Sequence, residues 1–195
     1  MRTYRRKTHN GPVRVLVHHA EAGPPRKPAA LDEWRGLTPL GHAQARKLAV
    51  RLGALPVRRA LSSPSLRCRQ TLVPLARWLD LEVEPCRLLA ADVDPLRLAR
   101  FLQEDETRDA VLCVDRHALL GVFAHIARSG SRLIEGLHPV DTIGAWLLHG
   151  GPDGRGHVHY VAAAGRDAAV PVLLDAGCVP AGGASGVAGP PAAPA

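Results

Sequence analysis

Short runs of apolar residues predict the strands of this chain. Residues 12–17 alternate apolar and polar side chains and are rich in valine, a pattern typical of a strand. Residues 110–114 form an unbroken apolar run, which predicts a central strand buried on both faces. Weaker patterns predict short strands at 58–61 and 81–86 and a closing hairpin formed by 143–148 and 157–162.

Apolar residues at helical spacing predict helices in the segments between these strands. Thr38 and Pro39 are typical of a helix start, and leucines follow at helical spacing as far as Gly53. Pro64 predicts the start of a second helix, and further helices are predicted at 94–103 and 117–128. Because strands and helices alternate, the predicted fold class is α/β, a three-layer sandwich with a mostly parallel central sheet flanked by helices.

The composition of the two ends limits the predicted domain. Residues 1–11 are polar and are expected to be a disordered leader, and residues 179–195 contain mostly Ala, Gly and Pro, a composition that cannot form a packed core. The domain is therefore predicted to span residues 12–178. Apolar runs fall far short of the ~20 residues that a membrane-spanning helix needs. The N-terminus also lacks the apolar stretch of a signal peptide, so a cytoplasmic protein without a membrane partner is expected.

The net positive charge of the chain does not by itself identify a binding partner. The formal net charge of +7 favours an acidic ligand, but the basic residues are scattered and only 4% of residues are aromatic. A surface on which nucleic-acid bases could stack is therefore not indicated. The four cysteines, at positions 68, 86, 113 and 178, have neither CxxC nor zinc-ligand spacing, so no metal and no cofactor are predicted.

Candidate chemistry clusters where the predicted strands end. His18 and His19 follow the first strand, residues 62–67 follow the second, and residues 115–117 follow the central apolar strand. Because ligands bind beyond the carboxyl ends of strands in open α/β sheets, these segments are expected to converge. A neutral imidazole is a competent nucleophile toward phosphorus, and arginine binds phosphoryl oxygens bidentately. The pattern therefore favours chemistry on a phosphoryl group.

Four segments, in order and spacing, resemble motifs of the histidine phosphatase (phosphoglycerate mutase-like) superfamily. They are LVHHAEA at 16–22, similar to LVRHAEA; LTPLG with QA at 37–45; SSPSLRCRQT at 62–71, similar to SSPxxRxxQT; and VLCVDRH at 111–117, similar to vlvvGH. The resemblance covers residues 12–162. It is to the short bacterial branch, which includes phosphohistidine phosphatases and the phosphatase domains that accompany Nudix hydrolases.

The resemblance implies a phosphohydrolase acting on a phosphomonoester, a phosphohistidine or a nucleotide. Its partner would be a phosphorylated small molecule or a phosphoprotein. His19 would attack phosphorus to give a phosphohistidine, which water would hydrolyse. Arg67 would bind the phosphoryl oxygens, and His117 would stabilise the charge that develops in the transition state.

Further residues are candidates for the implied site. Ser62 is a candidate donor to the substrate, and His18 is a candidate substrate-binding residue. Residues 20–36, rich in proline, predict a loop of the right length to lie over the site, and Glu21 either lines its entrance or is ordinary surface. No general acid is evident; Asp92 is the candidate, since Asp94 is expected to cap a helix.

Two positions depart from the family pattern. His18 stands where the family has arginine, which removes a permanent charge and a bidentate donor, and Arg116 stands where the family has glycine. One hypothesis is that Arg116 binds the substrate phosphate and restores the missing cation. The competing one is that its bulk fills the pocket or that Asp115 neutralises it. The alternative function is accordingly a catalytically impaired member that binds a phosphorylated ligand or a protein.

Overall fold

The strands form one mixed sheet. The computed structural model describes residues 12–128, 144–150, 155–162 and 172–175; the predicted leader and tail lie outside them. The strands are β1 (Val13–His18), β2 (Arg59–Ser62), β3 (Val83–Pro85), β4 (Ala110–Val114), β5 (Gly144–Gly150), β6 (Arg155–Ala162) and β7 (Val172–Asp175). Their order across the sheet is β3-β2-β4-β1-β5-β6-β7.

Parallel pairing is confined to the half of the sheet that contains β3, β2, β4 and β1. In that half, Leu112 of β4 pairs with Leu16 of β1 on one side and with Leu61 of β2 on the other. β5, β6 and β7 add to the β1 side in antiparallel order, and β5 with β6 is the predicted hairpin. β7 was not predicted, because Pro171 interrupts its apolar run.

Helices cover both faces of the sheet. They are α1 (Ala29–Asp32), α2 (Pro39–Leu52), α3 (Leu66–Leu79), α4 (Pro95–Phe101) and α5 (Arg116–Arg128), with 3-10 turns at Arg87–Leu89 and Asp105–Thr107. Because side chains alternate along a strand, Val15 and Val17 pack with α2 and α3, whereas Leu16 packs with α4 and α5. The predicted three-layer α/β sandwich is confirmed. Within the described segments, no helix is long and apolar enough to cross a membrane.

The helix starts follow local capping chemistry. The Thr38 hydroxyl accepts a hydrogen bond from the Gly41 amide at 3.0 Å, so the predicted cap of α2 is confirmed. Asp94 caps α4 in the same way, as expected. The prediction for α3 was wrong by two residues: the helix begins at Leu66 with Ser65 as N-cap rather than at Pro64. Residues before it remain extended because the Ser63 amide donates to Cys113 of β4 at 2.8 Å.

Candidate active site

His19 lies directly after β1, at the carboxyl edge of the parallel strands. Its Nδ1 is 2.8 Å from the Ala20 carbonyl oxygen. Because a carbonyl only accepts, Nδ1 carries the proton and Nε2 keeps its lone pair. Burial lowers the pKa of His19 from 6.5 to about 4, and the positive charge of Arg67 acts in the same direction. The imidazole is therefore neutral at physiological pH, with Nε2 as its basic nitrogen.

The His18 ring lies next to the His19 ring. The residue is buried, and its Nδ1 is 2.8 Å from the His19 carbonyl oxygen. Its ring centroid lies 5.9 Å from that of Trp146 in β5 and 6.2 Å from that of His19. The ring is thus held between the sheet and the candidate nucleophile, and a role for His18 in substrate binding stays a prediction.

Arg67, in the first turn of α3, forms a buried ion pair with Asp115. Its Nε and Nη2 donate to Asp115 Oδ1 at 2.8 and 2.5 Å, and both residues are almost fully buried. The other carboxylate oxygen accepts from the hydroxyls of Ser63 at 2.9 Å and Ser65 at 3.3 Å. The sequence pattern did not predict Asp115 as the partner of Arg67. The available signal was an acidic residue immediately after a fully apolar strand, at the sheet edge where ligands bind.

The predicted loop at residues 20–36 reaches the same arginine. Arg67 Nη1 donates to the Asp32 carbonyl oxygen at 2.7 Å and lies 3.1 Å from Asp32 Oδ2. A two-residue bridge between Ala22 and Leu37 closes the loop. Hydrogen bonds from Arg35 lower the pKa of the Asp32 carboxyl to about 2, so it is ionised at ordinary pH. The loop therefore places the Asp32 carboxylate against Arg67, the candidate residue for binding phosphoryl oxygens.

Two of the predicted substrate-binding residues, Ser62 and Glu21, form hydrogen bonds with other residues of the chain. Ser62 is fully buried, and its hydroxyl donates to the Ser63 carbonyl oxygen at 2.8 Å. The exposed Glu21 carboxylate accepts from the Thr38 hydroxyl at 2.9 Å, at the start of α2. Their assignment to the substrate stays a prediction. The hydroxyls of Ser63 and Ser65, by contrast, bond to Asp115, the buried partner of Arg67.

The remaining candidates lie at the surface of the same edge. Arg116 and His117 are exposed in the first turn of α5, directly after β4 and Asp115. Asp92 is exposed and lies 3.7 Å from Arg87, which follows β3. Their catalytic and binding roles stay predictions. Among the described residues, no group of three or more His, Cys, Asp or Glu side chains could hold a metal ion.

Residues 35–90 match the model of the histidine phosphatase superfamily, branch 1. The match includes two of the four motif segments, at 37–45 and 62–71, within the α/β sandwich described above. This stretch of the chain is therefore similar to the histidine phosphatase superfamily. His19 and His117 lie outside the matched residues, so the match itself assigns no role to either.

Solved structures of two phosphatases share the fold of the chain. The protein histidine phosphatase SixA, complexed with tungstate, is 22% identical with a TM-score of 0.61, over 77% of this chain and 97% of that one. A mycobacterial glucosyl-3-phosphoglycerate phosphatase with VO3 is 16% identical with a TM-score of 0.52, over 80% of this chain and 100% of that one. No curated protein matches the chain significantly in sequence. At these identities the structural similarity establishes the fold.

Proposed function

We propose that the protein is a phosphohydrolase in which His19 Nε2 accepts the phosphoryl group of a phosphorylated small molecule or phosphoprotein. The observation that carries the proposal is the state of His19. It is neutral, its Nδ1–H is bound to the Ala20 carbonyl, and Arg67 is the charged group with the largest effect on its pKa. A nucleophile of this kind beside an arginine suits transfer of an anionic phosphoryl group.

The proposed reaction has two steps. In the first, His19 Nε2 bonds to phosphorus, the bond to the leaving group breaks, and the leaving atom takes a proton from a general acid or water. The ring then carries a positive charge, which the Nδ1–H bond to the Ala20 carbonyl stabilises. In the second step, water bonds to phosphorus and the nitrogen–phosphorus bond breaks. The products are inorganic phosphate and the original neutral imidazole.

Hydrolysis of an aryl phosphate tests this proposal. Wild type should release phosphate and be inhibited by vanadate, whereas His19→Ala should lose about 10³-fold or more in rate because the nucleophile is absent. His42→Gln, which replaces a histidine of α2, is the matched control and should retain the wild-type rate. Rapid quenching in alkaline denaturant should trap phosphohistidine on wild type only. Equal turnover by wild type and His19→Ala would reject His19 as the nucleophile.

A second function, binding of a phosphorylated ligand without turnover, is favoured by one observation. Two carboxylates, those of Asp115 and Asp32, contact the Arg67 guanidinium, and His18 replaces the arginine of the family motif. This arrangement weakens the positive charge available to a phosphoryl transition state. Phosphate binding without vanadate-sensitive turnover at any pH from about 5 to 8 would establish this function in place of hydrolysis.

A further inference from the structure

Two donors at the start of α3 are suited to hold an anion. One is the Arg67 guanidinium, and the other is the Leu66 amide, the first of the helix, whose N–H has no intrahelical acceptor. Both are occupied by consecutive residues of loop 20–36. The Glu33 carbonyl oxygen accepts from the Leu66 amide at 2.8 Å, and the Asp32 carbonyl oxygen accepts from Arg67 Nη1 at 2.7 Å. The Asp32 carboxylate lies beside the same nitrogen, with Oδ2 at 3.1 Å. The chain thus supplies its own oxygen atoms to the position where an anionic ligand would bind.

The loop holds Asp32 in this position with its own residues. Arg35 Nε and Nη2 donate to the two carboxylate oxygens at 2.7 and 3.2 Å, and the Arg26 amide donates to Oδ1 at 2.9 Å. Arg35 Nη1 also binds the Gly23 carbonyl oxygen at 2.8 Å, next to the bridge that closes the loop. Asp32 is therefore part of a small, internally bonded unit whose middle residues contact Arg67 and Leu66.

The charges at Arg67 disfavour a phosphoryl dianion while Asp32 is in place. Asp115 already balances the guanidinium from one side, and Asp32 adds a second negative charge from the other. Like charges a few ångström apart near a protein surface repel, which lowers the affinity for a dianion by about tenfold. A ligand that took the place of Asp32 would remove this repulsion and gain the Arg67 and Leu66 donors.

We propose that Asp32 and the backbone carbonyl of Glu33 are internal occupants of the phosphoryl-binding position, and that a phosphorylated substrate binds by displacing them from Arg67 and Leu66. The inference rests on the proposed function in one respect, namely that Arg67 binds the phosphoryl group of the substrate. It makes Asp32 a residue that sets the affinity of the site. Loop 20–36 then acts as a lid that is closed without substrate and opens when the phosphoryl group replaces its carboxylate.

The test compares Asp32→Asn with Glu33→Gln in the full chain. Asp32→Asn keeps the shape of the side chain but removes its charge, and we expect inorganic phosphate to bind about tenfold more tightly by calorimetry. Glu33→Gln removes one charge from the neighbouring exposed side chain, which lies 3.8 Å from Arg87, and keeps the backbone carbonyl that binds Leu66. We expect it to bind phosphate within about twofold of wild type, since an exposed pair of this kind contributes little.

Trp34 provides a second readout that does not depend on turnover. It follows Glu33 and is 66% exposed, so displacement of the loop should change its fluorescence when phosphate binds to wild type. If Asp32→Asn binds phosphate no more tightly than wild type, or equally with Glu33→Gln, the inference is wrong. Turnover that still depends on His19 in that case leaves the proposed function intact. If neither wild type nor the two variants bind phosphate or show His19-dependent turnover, the inference and the proposed function are both rejected.

Discussion

Arg67 and Asp115 form a buried ion pair at the edge of the sheet, with Arg67 Nε and Nη2 at 2.8 and 2.5 Å from Asp115 Oδ1. The pair joins the first turn of α3 to the end of β4, and the hydroxyls of Ser63 and Ser65 complete the bonds of the carboxylate. Removing one member of a buried pair leaves the other charged and without compensation. The pair is therefore a structural element of the site as well as a component of its electrostatics.

The first prediction concerns the stability that this pair provides. Asp115→Asn should lower the free energy of unfolding by about 3 kcal/mol, because the Arg67 guanidinium loses its buried counter-ion. Urea unfolding followed by circular dichroism measures this change. The control is Asp92→Asn, an exposed carboxylate 3.7 Å from Arg87, which should change the stability by less than about 0.5 kcal/mol. Equal effects of the two substitutions would show that the buried pair contributes no more than an exposed one.

The second prediction is a dependence of stability on pH that comes from His19. Its pKa is about 4 in the folded protein and returns to the ordinary 6.5 on unfolding. Between these values the unfolded chain binds more protons, so the stability contributed by His19 is complete above pH 6.5 and is lost as pH falls toward 4. The loss should reach about 3 kcal/mol by pH 4, since each unit of pKa difference corresponds to about 1.4 kcal/mol.

Urea unfolding of wild type and His19→Gln at several pH values measures this contribution. Glutamine does not titrate, so the difference between the two proteins should widen to the disadvantage of wild type as pH falls. A difference that stays constant from pH 7 to pH 4 would contradict the lowered pKa of His19.

The third prediction concerns the close approach of α2 to the segment after β1. A Cβ built on Gly41 would lie 1.9 Å from the Glu21 carbonyl oxygen, whereas one built on Gly23 meets nothing within 4 Å. Gly41→Ala should therefore force the backbone apart and lower the free energy of unfolding by about 3 kcal/mol. Gly23→Ala is the matched control and should change it by less than about 1 kcal/mol. Thermal unfolding distinguishes the two, and similar melting temperatures would refute the steric argument.

The fourth prediction separates two roles for Glu21, which the sequence left as either a residue at the entrance of the site or ordinary surface. The structure has its carboxylate bonded to the Thr38 hydroxyl at 2.9 Å. If this contact is its role, Glu21→Gln should leave kcat and KM for an aryl phosphate within about twofold of wild type, because the amide oxygen still accepts from Thr38. A KM raised tenfold or more would instead support contact between Glu21 and the substrate.

Local patterns predicted most of the fold. The apolar run at 110–114 became the fully buried central strand β4, and Thr38 and Asp94 cap helices because capping depends on residues within one turn. The predictions were wrong where a distant segment determined the local structure. α3 begins after Pro64 because Ser63 is bonded to Cys113 of β4, which lies far along the chain.

The candidate site was predictable only in outline for the same reason. Motif spacing placed His19 and Arg67 at strand ends, and both lie at the carboxyl edge of the parallel strands. The partners of Arg67 are separated from it by 48 residues for Asp115 and 35 for Asp32. No periodicity spans such separations, so a sequence read by local pattern does not reveal them.

The sequence by itself therefore determined most of the strands and helices, the resemblance to a family and the position of the candidate nucleophile, because periodicity, capping and motif spacing are properties of neighbouring residues. The tertiary structure decided the chemical state of the site. Burial makes His19 neutral, and the pairing of distant segments gives Arg67 two carboxylate partners. Desolvation and charge pairing depend on the surroundings of a group in space, and those surroundings exist only once β1, β4, α3 and the loop have come together.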